Sequence, residues 1–220
     1  MTPRALSTPR AAALAGVVFA VLFGAALILI RTALPEGAEP GSQWVDGGEH
    51  RLRVAALLMP FAGIAFLWFI GVIRDGFGRY EDKFFATVFL GSGLLFLAMM
   101  FVAAGIGAAL EGIGPHLDAS TRAAAMAFGQ SLALVVSKTY ALRMAAVFMI
   151  SVATIWLRTG LMPRPLAWGT YVVALALMAA AEVSMWLTLA FPAWVLVISV
   201  LLFGGRLTPT RPAGPTPDTA

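Results

Sequence analysis

Apolar residues in this chain gather into five long runs, Ala11–Ile30, Val54–Ile73, Phe84–Leu110, Ala123–Leu157 and Pro165–Phe203. None has the short period-two alternation of a half-buried strand. Each is near or beyond the roughly 18 consecutive apolar residues that let a helix cross a bilayer. The pattern predicts an all-α, polytopic transmembrane helix bundle.

Run length sets the number of crossings. Span one is Ala11–Ile30, followed by a polar loop, 31–53, with Pro35, Pro40 and the Gly47–Gly48 pair as turn signals. Arg4 and Arg10 precede a stretch longer than the roughly 7–15 residues of a signal-peptide core, so it is read as an uncleaved span. Span two is Val54–Ile73, with Pro60 as an expected kink. Span three is Phe84–Leu110, about 40 Å as helix, which calls for tilt or protrusion.

The last two runs are harder. Residues 120–157 as one helix measure about 57 Å, far beyond the ~30 Å hydrocarbon core. Span four is therefore placed at Ser137–Leu157, with Ala119–Val136 outside or at the interface. Arg122 and Gln130 of that segment, with Ser137 just beyond it, fall on one helical face, which fits half-burial. The alternative makes Ala119–Val136 a span of its own. Pro192, Trp186 and Trp194 suggest a turn near Leu187–Phe191, dividing the final run into Leu166–Trp186 and Ala190–Phe203. The total is about six spans, with seven as the alternative. Residues 1–203 then form one transmembrane domain, and the proline-rich stretch 204–220 is expected to be a disordered tail.

Composition narrows the class. Of 220 residues, 60% are hydrophobic and 12% charged, about half the usual charged share of a soluble domain. Mean hydropathy is +0.88. The net charge of +4 comes from basic residues at the ends of apolar runs, where they orient a membrane protein, so no nucleic-acid partner is expected. With six spans, Arg4, Arg10, Arg74, Arg79, Lys83, Arg158, Arg164, Arg206 and Arg211 fall on one side. Positive charge favours the cytoplasm, so both termini are expected inside, in a cell (inner or plasma) membrane. Trp68, Trp156 and Trp168 would then lie near the inner interface and Trp186 and Trp194 near the outer one. Cysteine is absent, which excludes disulfides and thiolate chemistry.

Three charges interrupt the apolar runs: Lys138, Arg143 and Glu182. Lys138 is expected at the outer boundary. Counted from the inner ends of their spans, Arg143 lies about 21 Å up and Glu182 about 24 Å up. The two are depth-matched on consecutive antiparallel helices, in the outer third, and their groups match as a fork-to-carboxylate ion pair. Snorkelling to the headgroups is the competing use. His50 and His116, each near carboxylates in outside loops, are the only metal candidates, and no metal or other cofactor is expected. The loop Arg74–Lys83 has neither GxGxxG nor GK[ST], so phosphate binding is not expected. Gly91-Ser92-Gly93, Thr87 with Gly91, and Gly105 with Ala109 are small-residue spacings suited to close helix approach.

Three strings, EDKFFATVFLGSGLLF (Glu81–Phe96), ALRMAAVFMIS (Ala141–Ser151) and LRTGLMPRPLAW (Leu157–Trp168), resemble a group of uncharacterised bacterial multi-pass integral membrane proteins. The resemblance runs from span two to span five. It implies fold and location and carries no activity. No enzymatic activity is expected. The expected role is that of an accessory, structural or partner-binding membrane protein, in contact with lipid and with a second copy or another membrane protein. The alternative is a carrier or channel for a small or amphipathic solute.

Overall fold

The computed structural model describes residues 8–33, 48–77, 83–112, 118–180 and 185–204, and every regular element among them is helical. The elements are α1 (Thr8–Ala33), α2 (Gly48–Phe77), α3 (Lys83–Gly112), α4 (Ala119–Leu134), a π-helical segment (Val135–Ala141), α5 (Leu142–Arg158), α6 (Arg164–Ala180), a 3₁₀ turn (Met185–Leu189) and α7 (Ala190–Phe203). Five helical stretches are long and apolar enough to cross a membrane, and α6 is a shorter apolar helix. The chain has the helices of a membrane protein.

Helix α1 packs between α2 and α7, while α5 packs between α3 and α6, and α2 with α3 joins the two groups. Phenylalanines tie the groups together. Phe66 of α2 lies within ring contact of Phe19, Phe69, Phe96, Phe148 and Phe191, so one side chain touches four other helices. Phe19, Phe66, Phe96, Phe148 and Phe191 are all fully buried.

Backbones approach closely where glycine faces a neighbouring side chain. A Cβ at Gly16 of α1 would collide with Ser199 of α7 and lie 2.8 Å from the Phe69 ring of α2. Gly63 of α2 faces Phe101 and Leu97 of α3. Gly93 of α3 faces Ile70 and Phe148, which bears out close approach at the Gly91–Gly93 string, whereas nothing lies near a Cβ at Gly91 or Gly105. Gly16→Ala is expected to destabilise the protein by about 1–3 kcal/mol, as overpacking does. The Ser199 hydroxyl is buried and accepts or donates no hydrogen bond among the described residues. Ser199→Ala should therefore be close to neutral alone and recover part of the Gly16→Ala loss. Denaturant unfolding of the two single variants and the double variant checks this.

Local chemistry accounts for the ends of the long helix. Asp118 caps α4: its side chain accepts from the Thr121 amide at 3.0 Å and from the Ser120 hydroxyl. The hydrogen bonds from Ser120 and Thr121 hold the Asp118 carboxyl well below the usual carboxylate range. At the far end Gly160 takes φ +70, Leu161 N–H donates to Trp156 C=O at 2.9 Å and Gly160 N–H donates to Leu157 C=O at 3.4 Å. That is a Schellman stop, and Pro163 and Pro165 follow it. The Arg158 guanidinium sits 4.7 Å from the centre of the Phe85 ring, joining the end of α5 to the start of α3.

Two expectations are corrected here. Ala119–Arg158 is one continuous helical stretch of 40 residues, with no reversal at Val136, so the seven-span alternative does not apply. Arg122, Gln130 and Ser137 are half-buried, as their shared face implied. Trp194, expected at the outer interface, joins the central aromatic cluster instead, and Trp156 is buried near the end of α5. Trp194 stacks on Phe191, meets Phe148 edge-on and donates its indole N–H to Thr170. The indole nitrogen had a buried acceptor available, so the ring could join the core. Trp68, Trp168 and Trp186 are exposed.

Candidate functional site

The depth of the charged residues follows from helix register. Phe19 meets Phe66 at 4.6 Å and Gly16 faces Phe69, so α1 and α2 run antiparallel with Ala20 level with Ala65. Gly63 faces Leu97 across α2 and α3. The middles of the apolar runs of α1, α2 and α3 thus lie at one level. Along the other side of α3, Gly93 and Phe89 meet Phe148, the latter pair stacked at 4.8 Å, and Gly129 faces Leu110. Both contacts put Arg143 level with Leu97, the middle of the α3 run.

This depth differs from the sequence-based one. Arg143 was expected in the outer third because its depth was counted from Leu157 as an inner boundary. Packing against α3 sets α5 lower, so that its end passes the level of Arg74. Lys138, expected at a boundary, lies about five residues or ~7.5 Å beyond Arg143, still well inside the level of Val54.

The π-helical segment carries this polar stretch. Its ladder follows an i→i+5 pattern, a geometry that recurs at functional sites. Ser137, Lys138, Thr139 and Arg143 are half-buried and Tyr140 is exposed. The Ser137 hydroxyl donates to Ala133 C=O at 2.7 Å. The Arg143 guanidinium donates to Thr139 C=O at 3.1 Å, so the side chain points one turn away from the Arg158 end. A backbone carbonyl thereby meets part of the hydrogen-bonding demand of a cation set among apolar helices.

Glu182, the expected partner, lies outside the described residues, as does Ser184. The register of α5 and α6 is fixed by the described residues. The Thr154 hydroxyl donates to Ile150 C=O at 2.7 Å and meets the Tyr171 hydroxyl at 2.8 Å, so Tyr171 is the donor between the helices. Arg143 precedes Thr154 by eleven residues, and Glu182 follows Tyr171 by eleven.

Three further hydroxyls among the described residues are committed to their own helices. Ser92, Ser151 and Thr170 each donate to a carbonyl of their own helix, to Val88, Val147 and Leu166. Thr170 also accepts from Trp194 at 3.0 Å, which fastens the short α6 to α7. The two histidines do not make a visible site. His50 is exposed at the start of α2 and His116 lies outside the described residues. Among the described residues no three histidine or carboxylate side chains gather as a metal-binding group.

No family model matches the chain, and neither a curated protein nor a solved structure does. The comparisons therefore assign no role to any residue, and the reading rests on the geometry above.

Proposed function

We propose that the protein is a six-span accessory or partner-binding protein of a cell membrane, non-enzymatic, with both termini cytoplasmic. The observation that carries this reading is the aromatic core. Phe19, Phe66, Phe96, Phe148 and Phe191 fill the level where a transporter would need a polar path. The described hydroxyls around it are mostly committed to their own helices. Within the bundle, Arg143 pairs with Glu182 and locks α5 to the end of α6. Their equal separation along the sequence, eleven residues each, from the Thr154–Tyr171 hydrogen bond supports that pairing. The inside orientation rests on Arg74, Arg158 and Arg164 at the ends of α2, α5 and α6.

A carrier for an anionic or amphipathic solute is the second reading, favoured by the half-buried Lys138 and Arg143 on the π-helical segment. Uptake separates the two. Vesicles containing the purified protein should take up small organic anions no faster than empty vesicles. Uptake above that level that disappears in Arg143→Gln would establish the carrier and overturn the accessory reading.

A further inference from the structure

A groove of about 260 Å³ opens on the outer surface of the bundle between α2 and α3. Its walls are Ala56 and Pro60 on one side and Ala104, Gly105 and Ala108 on the other, with Phe101 at its lower end. The cause is a change in packing along the two helices. At Gly63 the helices are in close contact, with the Phe101 ring against the glycine. Toward the Arg53 end the α3 wall is built of small residues, Ala104, Gly105 and Ala108, and Met59 joins Ala56 and Pro60 on the α2 wall. Nothing lies within 4 Å of a Cβ at Gly105.

An apolar gap of this kind does not hold water, and leaving it empty forfeits dispersion contacts along both walls. Its volume falls just below the roughly 300–1,000 Å³ of compact small-molecule pockets, and it is open along one side. That shape suits a single extended hydrocarbon chain. The charge above it points to the kind of molecule that brings such a chain. Arg53 is exposed, and Arg53, Ala56 and Pro60 follow i, i+3, i+7 spacing, which puts them on one face of α2. Arg53 immediately precedes the apolar run Val54–Ile73, at the level of headgroups for a membrane-spanning α2, with the groove one to two turns below it.

We propose that this groove binds one acyl chain of a phospholipid whose phosphate group is held at Arg53. The site rests on the membrane placement proposed above but is independent of the accessory role. It predicts preference for an anionic phospholipid in the leaflet on the Arg53 side, because an arginine near a surface favours anionic headgroups.

The full chain reconstituted in phosphatidylcholine vesicles with spin-labelled phosphatidylglycerol provides the test. The wild type should immobilise a fraction of the label, with phosphatidylglycerol favoured over an equally labelled phosphatidylcholine. Gly105→Leu fills the groove from an exposed position and should remove the immobilised fraction by at least about five-fold; Ala108→Leu is a second filling variant. Arg53→Gln should leave chain immobilisation and lower the preference for phosphatidylglycerol about five-fold, the factor expected for one basic residue at a headgroup. Immobilisation unchanged in both filling variants would overturn the proposal. So would loss of a cross-linked dimer on filling, which would make the occupant a second copy. Failure of the membrane placement itself would show separately, as wild-type protein that washes off the vesicles in carbonate.

Discussion

Arg143→Glu alone should destabilise the protein by about 3 kcal/mol, and adding Glu182→Arg should recover most of that loss. The magnitude matches breaking a buried ion pair and the cost of an unpaired charge at the centre of a membrane helix. Arg143 is half-buried and level with the middle of the α3 apolar run, and its guanidinium donates to the Thr139 carbonyl. A glutamate there loses that hydrogen bond, faces a carbonyl oxygen with a carboxylate and, in the proposed pair, meets Glu182. The swapped pair restores the ionic contact, although it leaves the Thr139 carbonyl without its arginine donor, so recovery is incomplete. Glu182→Gln should cost less than Arg143→Glu, because Thr139 still accepts from the arginine. Unfolding by sodium dodecyl sulfate in mixed micelles reads these differences. A double variant no more stable than either single variant would remove the ion pair from the account.

Phe66→Ala should cost about 2–3 kcal/mol, less than the same change in a water-soluble core. In water, the loss combines a transfer term with a cavity term. Inside a bilayer both the folded and the dissociated helix keep Phe66 in an apolar medium, so the transfer term largely drops out. The cavity term remains: about 100 Å³ of lost ring volume at ~24 cal/mol per Å³. Relaxation cannot easily close that space, because five other rings surround it and they belong to α1, α2, α3, α5 and α7. Phe61, on the same helix but 57% exposed, supplies the contrast. Phe61→Ala should change stability by less than about 0.5 kcal/mol. Equal losses at the two positions in the same unfolding assay would mean that the aromatic cluster does not hold the helices together.

Much of the helical layout was legible in the chain because its cause is local. A run such as Ala11–Ile30 has no polar residue to compete for a turn, and α1 covers it with only a few residues added at each end. Val54–Ile73 likewise lies within α2 and Phe84–Leu110 within α3. The fourth run's end at Leu157 lies one residue before the end of α5, where Gly160 at φ +70 stops the helix. The candidate site was legible only in part. Arg143 stood out because a charge in an apolar run is conspicuous, but its depth did not follow from counting along one helix. Gly16, Gly63 and Gly129 were not singled out, since a glycine in an apolar run gives no sign of what will face it. The groove likewise needs two helices to exist.

By itself, the sequence determined that the fold class is all-α, which segments are apolar enough to enter a membrane, and which charges would be costly there. Those properties depend on composition and on the period of a single helix. Tertiary structure alone decided that residues 119–158 form one helix with a π-helical segment, that Trp194 belongs to the core, and that Arg143 lies at the middle level of the bundle. The physical reason is common to all three. Register between helices is set by which side chain fills the space opposite each glycine and ring, and no single helix carries that information.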